Sequence, residues 1–224
     1  MVTEILTDPD QALRGVADGS VVMVGGFGLA GMPVLLVEAL IRQGATDLTV
    51  VSNNAGNGDT GLAALLATGR VHRIICSFPR QSDSWVFDDL YRRGMVELEV
   101  VPQGTLAERM RAAGAGLGGF YCPTGVGTPL AEGKESRVLD GRTYVLERPL
   151  AGDVALVRAH RADTHGNLVY RKTARNFGPV MASAARLVVA HVDEVVPAGH
   201  LDPESIVTPG IFVDRVVAVE QENR

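Results

Sequence analysis

Gly25, Gly26, Gly28 and Gly31 fall within seven consecutive positions, directly after the apolar run Val21-Val22-Met23-Val24 and just before Pro33. Glycine lacks a Cβ and adopts positive φ at little cost, so a loop this rich in it can bring backbone N–H groups close to a ligand. Pro33 suits the first turn of a helix over Val34–Arg42, whose free N–H groups and dipole favour an anionic or developing negative group. Gly26-Phe27-Gly28-Leu29-Ala30-Gly31 also satisfies the dinucleotide pattern G-x-G-x-x-G, between a strand and a helix as that fingerprint requires. Dinucleotide binding further needs an acidic residue near the end of the next strand, where it holds a ribose hydroxyl. That strand, Leu48–Val51, runs instead into Ser52-Asn53-Asn54-Ala55-Gly56. Three uses of the loop stay open at this level: a dinucleotide site, a site for another ligand, and a tight strand-to-helix turn that binds nothing. Phe27 is read as a core residue, and Asn53 and Asn54 as turn residues that tolerate left-handed geometry.

Other chemistry is sparse. The chain has no G-x-S-x-G elbow, no H-E-x-x-H and no P-loop. His72, His160, His165, His191 and His200 are dispersed and read as surface or hydrogen-bonded structural residues. Glu132 and Glu135 flank Gly133-Lys134, which reads as a solvated charged turn. Cys76 and Cys122 form neither a C-x-x-C nor a metal-type spacing, which fits a reducing compartment, and no metal site is expected. A catalytic residue can therefore be missing from this chain altogether.

The elements that must position these residues read as an α/β fold with an open, largely parallel sheet flanked by helices. At 224 residues and 46% hydrophobic, the chain is long enough for one sizeable core, and we read residues 1–224 as a single domain. A net charge of −5 gives no basic footprint for nucleic acid or an anionic membrane. The N-terminus lacks a secretory pattern and no run of 18 apolar residues occurs, so a soluble, cytoplasmic protein is expected. Asp8 caps an expected helix over Pro9–Ala17, before the strand Val21–Val24. Strands are then expected at Leu48–Val51, Arg73–Cys76 and Glu97–Val101. Helices are expected at Leu62–Thr68, Ser84–Arg93 and Thr105–Ala113. Ligands in such sheets bind beyond the carboxyl ends of the strands, so the glycine loop, Asn53-Asn54, the Ser77–Asp83 loop and Gln103 should gather along one edge. Gln103 could alternatively cap helix Thr105–Ala113, a task Thr105 could also perform.

In the second half, Gly114–Thr128 is expected to be an irregular loop, and Asp140-Gly141 marks a two-residue hairpin between Arg137–Leu139 and Thr143–Leu146. Strands are expected at Val154–Ala159, Leu168–Tyr170, Leu187–His191 and Val213–Val219, with a short helix around Pro179–Ala185. We expect these to form a mixed C-terminal extension of the same sheet.

Several long motifs occur together. They are Asp18–Pro33, Ser52-Asn53-Asn54-Ala55-Gly56, Pro102-Gln103-Gly104-Thr105-Leu106-Ala107-Glu108-Arg109 and Pro123-Thr124-Gly125-Val126-Gly127-Thr128. Gly166-Asn167-Leu168-Val169-Tyr170, Ala174-Arg175-Asn176-Phe177, Leu201-Asp202-Pro203-Glu204 and Thr208–Arg215 follow in order. In these segments the chain resembles the α subunit of the family I CoA-transferases along nearly its whole length. The resemblance implies that the nucleophile is a glutamate carried in a Ser-Glu-Asn-Gly motif on a partner β subunit, and no Ser-Glu-Asn-Gly occurs here. It implies no bound cofactor, a CoA thioester as substrate, and a heterodimer or a heterotetramer with two copies of each subunit. It places CoA against Gly25, Gly26, Phe27, Gly28, Leu29, Ala30 and Gly31, and it gives the Gln103 amide a part in stabilising the oxyanion of each tetrahedral intermediate. The stretch Cys76–Asp88 is more similar to members that use succinyl-CoA and 3-oxoadipate than to those that use acetoacetate. Asn53, Asn54 and Arg80 are then substrate-side candidates, Arg80 for the distal carboxylate of the acceptor acid. The loop Gly114–Thr128 is the expected edge shared with the β subunit. Two readings from other classes remain: a nucleotide-binding α/β module without chemistry, and a sugar-phosphate isomerase that would turn over alone.

Overall fold

The computed structural model describes residues 2–218. The chain opens on β1 (Glu4–Leu6) and a short helix α1 (Pro9–Ala12), then alternates strictly. The alternating elements are β2 (Val21–Val24), α2 (Val34–Gln43), β3 (Leu48–Val51), α3 (Leu62–Ala67), β4 (Val71–Cys76), α4 (Trp85–Arg92), β5 (Glu97–Val100) and α5 (Gln103–Gly114). The second half adds β6 (Phe120–Cys122), β7 (Ser136–Leu139), β8 (Arg142–Glu147), β9 (Gly152–Arg158), β10 (Arg161–Asp163) and β11 (Leu168–Val169). It ends with α6 (Gly178–Ala184), β12 (Ala185–Val192), β13 (Glu194–Val196) and β14 (Arg215–Ala218).

Eight strands form one sheet in the order β1-β14-β12-β9-β2-β3-β4-β5, and every pairing in it is parallel. From β2 the chain builds outward to β5 in one direction, while β9, β12 and β14 extend the sheet in the other. The winding therefore reverses between β2 and β9, and in open parallel sheets such a reversal leaves a crevice beyond the carboxyl ends of the strands. Gly25 lies at this seam, where its N–H continues the ladder to the Leu156 carbonyl at 2.9 Å.

Both faces of the sheet are covered, and its central strands β2 and β9 are accordingly nearly continuous in apolar residues. Side chains alternate along β2, so Val22 and Val24 enter a core with Leu36, Leu40, Leu62 and Phe87 from α2 to α4. Met23 enters the opposite core with Leu106 and Met110 of α5 and Met181 of α6.

The parallel αβ alternation, the Asp8 cap and the Asp140-Gly141 hairpin match the sequence reading. Asp8 accepts the Asp10 N–H with Pro9 in the first turn, but α1 stops at Ala12 rather than Ala17 because the chain turns away, with Gly15 at φ +88°. Of the strands expected to extend the main sheet, Val154–Ala159, Leu187–His191 and Val213–Val219 do so, as β9, β12 and β14, and all in parallel, whereas Leu168–Tyr170 and the two strands of the Asp140-Gly141 hairpin stand apart from it. β6, β8 and β7 form one small antiparallel sheet, and β11, β10 and β13 form another. The segment Gly114–Thr128 is accordingly not all loop, since β6 pairs with β8. Short strands β1, β10 and β13, absent from the sequence reading, each pair with partners distant in sequence. The expected strand Val213–Val219 is observed as β14, and Val219 lies outside the described residues.

Candidate active site

The glycine loop folds as a miniature hairpin. Phe27 and Ala30 exchange N–H···O bonds of 3.0 and 3.2 Å around Gly28-Leu29. Gly28 takes φ +60° while Leu29 stays at negative φ, the pattern of a type II′ turn. The hairpin rests on Asn176, whose Oδ1 accepts the N–H groups of Gly26 (3.1 Å) and Phe177 (2.7 Å). Its Nδ2 donates to the carbonyls of Ala30 and Thr173, both at 3.0 Å.

The four glycines do different work. At Gly31 a Cβ would stand 2.4 Å from the Ala174 carbonyl oxygen, so that glycine permits the loop to seat on the Lys172–Arg175 turn. Gly25 and Gly26 likewise face the chain itself, at 3.4 Å from the Leu156 oxygen and 3.3 Å from Met32. Gly28 alone looks onto open space. The expectation that the whole loop offers its backbone to a ligand is thereby narrowed to the tip. There, among the described residues, the N–H groups of Gly28 and Leu29 have no hydrogen-bond partner. The expectation that Phe27 is a core residue is overturned: it is 53% exposed and Leu29 is 67% exposed, because the hairpin carries both away from the sheet. Pro33 is the N-cap of α2 rather than part of its first turn, and it is buried.

Beside the hairpin, the ends of β3, β4 and β5 are laced together through Asn53. Its carbonyl accepts the N–H groups of Ser77 (3.2 Å) and Phe78 (3.0 Å). Its side-chain Oδ1 accepts Ser77 Oγ–H at 2.8 Å and Gln103 Nε2–H at 2.7 Å. Asn54 closes an Asx turn, its Oδ1 accepting the Gly56 N–H at 2.9 Å. Both asparagines are 2% exposed and occupied within the protein, and β3 ends without a carboxylate, so the dinucleotide reading gains nothing here.

Gln103 is the first residue of α5, not a cap for it, and its side chain is exposed. Thr105 does not cap the helix either; its hydroxyl is buried without a partner among the described residues. Pro102 at the N-cap supplies no side-chain acceptor, so the N-terminus of this 12-residue helix is open and favours negative charge in front of it.

Phe27, Gln103, Gly104, Ala107, Asn176, Phe177 and Val180 line a cleft of about 330 Å³. It joins the hairpin to the α5 N-terminus, as the gathering at the strand ends predicts. Its walls are largely apolar, its donors are the Gln103 amide and the α5 N-terminus, and none of these seven residues is a nucleophile. Arg80 is not among them; its Nε is held by Asp88 of α4 at 2.6 Å. Asn176 and Phe177 appear in the sequence reading without a role. Their contribution depends on contacts some 150 residues away in the chain, which no local pattern signals.

On the other side of the hairpin, Leu29, Ala30 and Gly31 border a second, polar cleft of about 470 Å³ with Arg158, His160, Arg171, Lys172 and Asp193. His160 Nδ1 lies 2.9 Å from Asp193, which also pairs with Arg158. Burial raises the Asp193 carboxyl, but bonds from His160 and Arg158 outweigh it and hold the group below its ordinary value. Behind them, burial, reinforced by the charge of Arg158, pushes the His191 imidazole down to about 4. Among the described residues, no helix is long and apolar enough to cross a membrane, and no cluster of three His, Cys, Asp or Glu residues could hold a metal.

The Coenzyme A transferase family profile matches residues 6–219. The chain is 63% identical over 219 residues to the α subunit of 3-oxoadipate CoA-transferase of Pseudomonas putida, covering 98% of this chain and 95% of that protein. It is 50% identical to the corresponding subunit of a probable succinyl-CoA:3-ketoacid coenzyme A transferase of Bacillus subtilis, over 99% of this chain and 92% of that one. Among solved structures it superposes on the Escherichia coli acyl-CoA transferase YdiF, crystallised as a thioester complex with CoA, with a TM-score of 0.87 at 24% identity. That match covers 99% of this chain and 50% of YdiF, so the chain spans about half the length of that relative.

Proposed function

The chain belongs to the Coenzyme A transferase family, and from that premise we propose that it is the α subunit of a two-subunit enzyme moving CoA from succinyl-CoA to 3-oxoadipate. The products are succinate and 3-oxoadipyl-CoA. What supports the acceptor is the 63% identity, sustained over 98% of the chain, to the α subunit of a 3-oxoadipate CoA-transferase. The weaker 50% match to a 3-ketoacid enzyme keeps acetoacetate as the second acceptor to test.

The single observation that carries the division of labour is the chemistry of the 330 Å³ cleft, which has an amide, an open helix N-terminus and apolar walls but no nucleophile. In our reading a glutamate of the β subunit attacks the thioester carbonyl. CoA thiolate leaves, and the acyl group remains as a mixed anhydride. The thiolate then attacks the glutamyl carbonyl, releasing succinate and leaving glutamyl-CoA, and 3-oxoadipate takes the CoA by the reverse sequence. Each addition places a negative charge on a carbonyl oxygen, which Gln103 Nε2–H and the α5 N-terminus would stabilise in a cleft closed off by the partner. The hairpin Gly25–Gly31 would hold the CoA arm at its tip, with Gly28 admitting close approach and Phe27 packing on the pantetheine. Asn53 and Asn54 would shape the substrate side from behind, and Arg80 would turn from Asp88 to the distal carboxylate of the acceptor.

We read residues 1–224 as one CoA-transferase domain, working in the cytoplasm with a CoA thioester as substrate and no resident cofactor. Gly114–Thr128 is our proposed edge toward the β subunit. The deciding experiment is an acyl-exchange assay on this chain, alone and co-purified with its β partner, using succinyl-CoA with 3-oxoadipate or acetoacetate. Exchange only by the complex, faster with 3-oxoadipate, is the expected result. Turnover by the lone chain, or no exchange from a well-formed complex, would overturn the reading.

A further inference from the structure

We propose that Ser77 is a positioning residue for this reaction, acting through Asn53 to fix the side-chain amide of Gln103. The proposal deepens the reading of Gln103 above and rests on it. Ser77 itself does not line the 330 Å³ cleft.

An exposed glutamine at the start of a helix has three free torsions, and ordering such a side chain costs conformational entropy. An oxyanion donor gains most when that ordering is complete before the reaction begins. The hydrogen bond that orders Gln103 runs from its Nε2 to Asn53 Oδ1 at 2.7 Å. With one Nε2–H committed there, the second remains available to a ligand.

Asn53 can serve as a reference point only if its own amide is held. Its backbone is held by two N–H bonds from Ser77 and Phe78, which tie the end of β3 to the end of β4. Its side chain is held at Oδ1 by the Ser77 hydroxyl at 2.8 Å. The same hydroxyl lies 3.1 Å from the Asn53 carbonyl oxygen, so it sits between the two oxygens of one residue. Removing it leaves the backbone ties intact but frees the Asn53 amide to turn about its last torsion. Gln103 then loses its fixed acceptor. Asn53, buried at 2% exposure, is thereby a relay between β4 and α5.

The test uses the complex with the β partner, with only this chain isotopically labelled. The Gln103 side-chain amide signal, assigned by its loss in Gln103→Ala, should be slow to exchange in the parent chain and should shift and exchange faster in Ser77→Ala. In the exchange assay, Ser77→Ala should lower kcat about tenfold, which is ~1.4 kcal/mol in the barrier, with KM for the acyl-CoA within about twofold. Ser77→Thr keeps the hydroxyl and should recover to within about threefold of the parent. In a Gln103→Ala background, Ser77→Ala should cost nothing further, because the residue it positions is gone. An unmoved Gln103 signal in Ser77→Ala overturns the proposal whatever the activity does. So does a kcat loss that simply multiplies with that of Gln103→Ala. A fully active Gln103→Ala complex would instead overturn the role of Gln103, while the amide signal would still report whether Ser77 fixes that side chain.

Discussion

The sharpest test of the cleft is to compare Gln103→Ala with Gln103→Glu in the assembled enzyme. Alanine removes the Nε2 donor and its bond to Asn53 Oδ1, while Asn53 keeps the Ser77 hydroxyl. The net loss of one such bond is about 0.5–1.5 kcal/mol, or a few degrees in Tm for a chain of this size, so the complex should still assemble. Removing a donor to a developing oxyanion costs about 10²–10³ in turnover where that donor acts nearly alone. Here the open N-terminus of α5 stays in place, so we expect kcat for Gln103→Ala to fall by between tenfold and about a hundredfold. Glutamate separates the donor role from mere space filling. It has the shape of glutamine, but at the neutral pH of the assay it sets a carboxylate oxygen against Asn53 Oδ1, where an N–H stood at 2.7 Å. It also brings negative charge to the place where, on the proposed mechanism, negative charge develops. If the amide acts by donating, Gln103→Glu is the slower of the two; if Gln103 only fills the cleft, Gln103→Glu is the faster. The assay is initial-rate exchange between succinyl-CoA and 3-oxoadipate, with assembly checked by size exclusion. A Gln103→Ala rate within threefold of the parent, or the faster rate in Gln103→Glu, refutes the reasoning.

Gly28→Ala probes ligand approach at the hairpin tip: a Cβ there meets nothing within 4 Å in the free chain, which leaves only backbone strain at φ +60°, of about 1–3 kcal/mol. We expect KM for acyl-CoA to rise at least fivefold while the complex stays folded, and normal kinetics would exclude close contact at Gly28. Arg80→Ala should raise KM for 3-oxoadipate more than for acetoacetate, because only the former carries a second carboxylate; equal effects would remove Arg80 from specificity. His191, pushed down to about 4 by burial, stays neutral in the fold while an unfolded histidine takes up a proton near 6.5. Stability is therefore full above pH 6.5 and falls as pH drops toward 4, by roughly 1–3 kcal/mol after allowing for the ring's partial solvation. Urea unfolding across that range should show a slope that His191→Gln flattens, and an unchanged slope would place the proton elsewhere.

The contrast between Asn53 and Asn176 shows what the sequence could carry. The strand-glycine-helix pattern at Val21–Arg42 is local, and so are the Asp8 cap, the Asp140-Gly141 hairpin and the alternation of apolar runs that implies a parallel sheet. Each depends on residues a few positions apart, and each appears in the fold within a few residues of its expected bounds. Placing Asn53 and Gln103 along one edge of the sheet, beyond the ends of β3 and β5, follows from the sheet rule alone, and their side chains meet across the end of β4 at 2.7 Å. Asn176 could not be found this way. Its partners, Gly26 and Ala30, lie some 150 residues earlier, and the 3-10 turn that presents it has no periodicity to read. The same limit explains Phe27. An aromatic residue between glycines after a buried strand resembles a core residue until the Gly28-Leu29 turn is seen to lift it outward.

Asn176 also explains why the cleft needs both halves of the chain. The glycine hairpin leaves β2 at the point where the sheet changes direction, so on one side its neighbours are β3 to β5 and on the other β9 and β12. The first set brings Asn53, Ser77 and Gln103, while the later chain brings Asn176 and Phe177 immediately before α6. Asn176 fixes the hairpin by the Gly26 N–H and the Ala30 carbonyl, and its neighbour Phe177 lines the same cleft as Gln103. The distance between Phe27 at the tip and the Gln103 amide is thus set by hydrogen bonds from two directions rather than by the loop's own preferences. A glycine-rich turn held in this way can stay open at its tip without being mobile at its base. On the proposed reading, that is the condition for the Gln103 amide and a CoA arm to meet a nucleophile brought by a β subunit without further rearrangement.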